Sequence, residues 1–159
     1  DVKKLANEMF DTMYNASGVG LAAPQIGKSI RLFVVDTEPM EDEEGSGAKK
    51  VFINAEIIEE FGEDWTFNEG CLSIPEVRED VVRAEGIVIR YFDENWKQHE
   101  EEIDGMLARV IQHEYDHIEG VLFTDHISNF RKRLVKGKLS NISKGRINPN
   151  YNMKFPLKK

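Results

Sequence analysis

Two histidines four residues apart, with a glutamate directly after the first, stand in Gln112-His113-Glu114-Tyr115-Asp116-His117. On a helix, residues four apart share a face, so His113 and His117 can turn their imidazoles toward one metal ion. Glu114 then sits beside that ion, where a carboxylate can take a proton from a bound water. The plain alternative is a pair of solvated helix histidines. A catalytic metal also needs a third protein ligand and an open position. Cys71, Asp116, Asp125 and His126 are the candidates. Cys71 is the only cysteine, so no intramolecular disulfide can form, which fits a reducing compartment. A lone cysteine is ordinarily buried filler, but a thiolate also suits a soft or borderline metal. Two imidazoles and a thiolate suit Zn²⁺ or Fe²⁺, and ligand type alone does not choose between them.

Such a site can attack a carbonyl carbon, and the developing oxyanion needs donors. Gln25 closes an uncharged stretch, Gly18-Val19-Gly20-Leu21-Ala22-Ala23-Pro24-Gln25, in which glycines and alanines permit close backbone approach. Gln25 is its one side-chain hydrogen-bonding group. The stretch reads as a tight wall of a site rather than a phosphate loop, since no lysine follows at the required place. Gln25 and the backbone amide of Leu72, next to Cys71, are the expected oxyanion donors. Glu114 would return its proton to the leaving amine, which makes the chemistry amide hydrolysis. Met106, Val110, His113 and His117 form one stripe at spacings of four, three and four. Its apolar half is either core or the lining of a pocket beside the metal.

The elements that must position these groups follow from periodicity. Residues 3–15 read as an amphipathic helix with Leu5, Met9, Phe10 and Met13 at helical spacing, stopped by Asn15-Ala16-Ser17-Gly18. Residues 30–36 and 51–61 read as strands, separated by the acidic stretch 38–50, a mobile surface loop or a hairpin connection. Pro75 argues against a regular central strand continuing there. Residues 86–92 form a strand, Asp93-Glu94-Asn95 turns, and residues 96–103 return as its partner, with His99 solvated. The helix of residues 105–118 carries the histidines. Residues 129–135 form a short helix, and the tail from Ser140 has no clear pattern.

At 159 residues the chain reads as one domain, without repeats. No run approaches the ~18 apolar residues of a membrane span, and no apolar signal core opens the chain. The net charge of −8 disfavours direct nucleic-acid readout, although the C-terminal quarter is locally basic. A solvated surface is the simple reading of that quarter, and a docking face for a polyanion the sharper one.

Three motifs resemble those of the peptide deformylase family: Gly18-Val19-Gly20-Leu21-Ala22-Ala23-Pro24-Gln25, Glu69-Gly70-Cys71-Leu72-Ser73 and Gln112-His113-Glu114-Tyr115-Asp116-His117. The resemblance extends from the first helix to about Ser128. It implies an α+β fold with antiparallel β-sheets packed around a central helix that carries the metal motif. It implies metal ligands Cys71, His113 and His117, general acid/base Glu114, and oxyanion donors Gln25 and Leu72. The implied substrate contacts are Gly18, Val19, Gly20, Glu69, Gly70, Arg78, Met106 and Val110. The peptide would lie as an added strand against Gly20 and Gly70. Arg83 would pair with Asp116 structurally. The implied activity is removal of the N-formyl group from the initiator methionine of nascent polypeptides, releasing formate. The implied metal is Fe²⁺, with Zn²⁺, Ni²⁺ or Co²⁺ as substitutes. The family acts in bacterial cytoplasm or in organelles, and its basic-tailed members can associate with the ribosome. Family members carry a strand ahead of the first helix, so an N-terminal segment is expected beyond this sequence. A His-Glu-x-x-His endopeptidase and a non-catalytic peptide-binding module are the rival readings. Most such endopeptidases place their third ligand after the motif, whereas Cys71 precedes it.

Overall fold

A computed structural model of the chain describes residues 1–41 and 47–156. Among them run α1 (Val2–Asn15), β1 (Gly20–Ala22), β2 (Leu32–Asp36), β3 (Lys49–Cys71), β4 (Ile74–Phe92), β5 (Gln98–Asp104), α2 (Gly105–Ile118) and α3 (Asn129–Ser143). The strands form one antiparallel sheet in the order β1-β2-β3-β4-β5. The class is the α+β expected, with one sheet among the described residues where several were expected.

The chain divides into two compact units, Asp1–Trp65 with Arg83–Val121, and Thr66–Val82 with Leu122–Lys159. The core of the first joins Phe33 and Phe52 to Ile87, Ile89, Tyr91, Val110 and Ile111. Phe33 and Phe52, which are register partners on β2 and β3, stack with ring centroids 4.8 Å apart. Helix α1 buries Ala6, Met9, Phe10 and Met13, the stripe its periodicity predicts. Its first turn is capped by the Asp1 carboxylate, which accepts from the Lys3 amide at 3.0 Å. It ends where Ser17 turns left-handed, at φ 58°, and the Gly18 amide donates to the Met13 carbonyl. Helix α2 runs over residues 105–118 as read from the sequence. Gly105, at φ 64°, makes the sharp entry into it from β5.

The second unit has its own apolar cluster. Ile74, Val77 and Val81 of β4 meet Val135 and Ile142 of α3, together with Phe123 and Ile127. The Arg131 guanidinium grips the buried Glu79 carboxylate with two bonds of 2.9 and 2.7 Å.

Several expectations need correction. Strand β4 begins at Ile74 and continues through Pro75. The expectation that no central strand runs through Pro75 holds: β5 pairs with β4 only from Gly86 to Phe92, so among the described residues the start of β4 lacks a strand on that side, where proline is tolerated. Strand β3 runs ten residues past its expected end at residue 61, to Cys71. Beyond Ile57 it buries little, so its sequence lacks the alternation that would reveal it. Helix α3 is 15 residues long, not seven. Val135, Leu139 and Ile142 recur at spacings of four and three and pack one cluster, which carries the helix through Gly137. His99 is half-buried rather than solvated. Its ring stacks on Tyr91, with centroids 5.1 Å apart, and Nε2 lies 2.7 Å from Asp93. The expected β4–β5 hairpin does form, in register from Gly86↔Asp104 to Phe92↔Gln98. Within the acidic stretch, Glu38–Met40 is a 3-10 turn, and residues 42–46 lie outside the described residues.

Candidate metal centre

Helix α2 presents His113 and His117 one turn apart, with ring centroids 5.3 Å from each other and the rings edge to face. His117 is buried, and that burial, reinforced by the neighbouring His113, pushes its pKa down to about 4. A neutral imidazole is the form that ligates a metal. Cys71 is the last residue of β3, and Leu72-Ser73 form the two-residue turn into β4. The Cys71 Sγ and one ring nitrogen from each histidine all lie within 4.8 Å of one another. Ligand atoms around a tetrahedral ion stand about 3.5 Å apart, so the three residues fit a zinc- or iron-sized cation. Among the described residues the gathered group contains none of the other candidates, Asp116, Asp125 or His126. Asp116 accepts from Arg83 at 2.8 Å, the structural pair expected. The Asp125 carboxylate accepts from the Leu122 amide at 2.8 Å and so caps its own 3-10 turn.

Glu114 is buried on α2, with only 4% of its surface exposed. Gly20 of β1 faces it so closely that a Cβ built there would stand 2.5 Å from Oε1 and 2.7 Å from Cγ. The sequence reading gave Gly20 a role toward substrate and missed this one, which is to leave room for the carboxylate. Gln25 closes the 3-10 turn Ala23–Ile26, where its Oε1 accepts from the Ala22 amide at 2.8 Å. With the carbonyl end held, the Nε2 end of the side chain is the one oriented to donate. Gly18 and Val19 are tied to the scaffold: the Gly18 amide caps α1, and the Val19 carbonyl accepts from Asp36 at 2.9 Å.

Arg78 folds back along β3. Its Nε donates to Asn68 Oδ1 at 2.9 Å and its Nη2 to the Asn68 carbonyl at 2.5 Å. Its Nη1 would stand 2.7 Å from a Cβ at Gly70, so the guanidinium passes close over that glycine. Glu69 is buried beside it in sequence. Val110 belongs to the core of the first unit and Met106 packs against that core. Arg109 was not singled out from the sequence. It is fully buried on α2, stands 4.4 Å over the Trp65 ring and donates to the Trp65 carbonyl at 2.6 Å. The available signal was an arginine inside an otherwise apolar run, Met106 to Ile111.

Fold and donor set together define a class: an α+β protein with a helix-borne histidine pair and a cysteine gathered as a metal-ligating group. The polypeptide deformylase family profile matches residues 1–133. A peptide deformylase of Cytophaga hutchinsonii is 60% identical over 159 residues, covering 100% of this chain and 86% of that protein. One of Christiangramia forsetii is 58% identical, covering 98% and 84%. The crystal structure of a peptide deformylase from Legionella pneumophila superposes with a TM-score of 0.78 at 41% identity, covering 91% of this chain and 82% of that one. The chain belongs to the polypeptide deformylase family.

Proposed function

We propose that the chain holds one divalent metal through Cys71, His113 and His117 and uses Glu114 as its general acid and base. The reaction is hydrolysis of the formamide at the N-terminal formylmethionine of newly synthesised polypeptides, releasing formate and a free amine. The observation that carries the site assignment is the gathering of one thiol and two imidazoles, with Glu114 on the same helix.

A divalent metal bound there supplies Lewis-acid polarisation and lowers the pKa of water toward neutrality. Glu114 takes the proton of the attacking water and delivers it to the leaving nitrogen as the C–N bond breaks. Its burial keeps that proton from exchanging with solvent between the two steps. The Gln25 amide and the Leu72 backbone N–H donate to the oxygen that gains charge as the formyl carbon becomes tetrahedral. The peptide runs along Gly18, Val19 and Gly20 on one side and Glu69 and Gly70 on the other, with Arg78 reaching it. Met106 and Val110 line the receptor for the methionine side chain. Helix α2 is thus the element around which the sheet is arranged, and residues 1–159 serve as one catalytic domain.

Fe²⁺ is the working metal of this reading. Zn²⁺, Ni²⁺ and Co²⁺ are accepted by the same donors, because imidazole and thiolate suit all of them. The enzyme would work in a bacterial cytoplasm or in an organelle, where initiator formylmethionine is made; no helix among the described residues is long and apolar enough to cross a membrane. The exposed Lys132, Arg133 and Lys136, on one side of α3, form the face that would meet the ribosome.

The test is formate release from formyl-Met-Ala by protein purified without oxygen, with metal content read on the same sample. Release from the formylated peptide and none from its acetylated counterpart is expected. Hydrolysis of internal peptide bonds, or no release at full metal occupancy with Fe²⁺, Ni²⁺ and Co²⁺ alike, would overturn the reading.

A further inference from the structure

We propose that Tyr151 is a positioning residue for the Cys71-Leu72-Ser73 turn, fixing the Leu72 backbone so that its amide meets the developing oxyanion. The inference rests on the reading above, in which that amide is a donor. Tyr151 lies 79 residues along the chain from Leu72, in the segment after α3, and its phenol donates to the Leu72 carbonyl at 2.6 Å. A two-residue turn between long strands has few ways to move. Rotation of the Leu72-Ser73 peptide group is the main one, and this bond pins the oxygen of that group. Because turn torsions are coupled, holding the carbonyl also restricts the preceding peptide group, which carries the Leu72 N–H.

A second, independent observation supports the placement. Ile147, four residues before Tyr151, packs against the same apolar cluster as Cys71 and Leu139. The segment that delivers the phenol is therefore anchored on the cluster against which the cysteine itself rests. Nothing in the sequence marked Tyr151; it stands in a tail without periodicity.

Tyr151→Phe removes the hydroxyl and keeps the ring. With the metal-loaded variant the expected result is a fall in kcat for formyl-Met-Ala of about tenfold, with KM within about twofold. This is less than the loss of a whole oxyanion donor, because the amide is loosened rather than removed. Metal content and thermal midpoint should match the parent. Hydrogen exchange of the peptide spanning residues 68–75 should quicken, while that of α2 stays unchanged. An unchanged kcat with unchanged exchange overturns the proposal, as does a rise in KM alone. If the parent releases no formate yet exchange at residues 68–75 quickens in the variant, the Leu72 contact stands and the reading of function fails. If the parent is active and the variant indistinguishable from it, the function stands and the role of Tyr151 fails.

Discussion

Gly20 shows how one absent side chain serves the chemistry. The carboxylate of Glu114 occupies the space a Cβ at position 20 would need. Gly20→Ala should therefore push Glu114 aside and lower kcat about 100-fold, a loss typical of a reacting group misplaced by an ångström. Metal content should hold, since the three atoms nearest that Cβ all belong to Glu114; loss of metal along with activity would show that the substitution disturbs more than Glu114. Glu114→Gln should cost between about 10² and 10⁴ in kcat, the usual worth of a positioned acid–base group, again with metal retained. A Glu114→Gln variant as active as the parent would remove the acid/base assignment. His117 gives a pH prediction. Its imidazole titrates near about 4 in the folded, metal-free chain against an ordinary 6.5. Between those values the unfolded state binds the extra proton, so folding stability falls as pH drops from 6.5 toward 4 and flattens below. The thermal midpoint of the metal-free chain should follow that course, and His117→Asn should weaken the dependence. An unaltered slope would place the titration elsewhere.

Among the elements, β4 and α2 are joined by the ion pair of Arg83 with Asp116, whose arginine is buried. Removing one partner strands the other, so Arg83→Met should destabilise by about 3 kcal/mol. Adding Asp116→Leu should recover much of that loss, and denaturant unfolding of the two variants would decide it. At this scale the legibility of the sequence was uneven, for physical reasons. Helix α1 was readable because it buries one stripe and ends at a residue with positive φ, and α2, which is buried on all sides, because of its His-Glu-x-x-His spacing and its bounding glycines. The central part of β4 showed through Ile87, Ile89 and Tyr91, which face the core in alternation. The far half of β3 did not show, because its residues are held by strand pairing rather than burial. The start of β4 was hidden by Pro75, and the second half of α3 by Gly137 and a polar end. Motifs proved more legible than elements. Cys71, His113 and His117 were readable as a possible ligand set because metal chemistry restricts residue type, and the fold gathers them. Arg109 and Tyr151 act through contacts that leave no spacing in the sequence. His99 was misread because its partners Asp93 and Tyr91 become neighbours only once the hairpin has formed.

For the molecule as a whole, the three proposed donors come from the end of β3 and from α2, more than forty residues apart in sequence. A metal that ties them binds the folded chain and not the unfolded one, so it stabilises by mass action. Stripping the metal with a chelator should lower the thermal midpoint, by the equivalent of about 4 kcal/mol where the free metal had been a thousandfold above its Kd. Restoring Ni²⁺ or Fe²⁺ should reverse this, and Cys71→Ser should blunt the response; a midpoint indifferent to chelator would separate the metal from the fold. The sheet has a further consequence. Its two borders are β1 and β5. Along β5, Glu100, Glu101 and Glu102 stand in succession, whereas β1 is Gly-Leu-Ala and carries no charge. Two copies meeting through β5 would bring rows of carboxylates together, which blocks the edge-to-edge stacking that seeds fibrils.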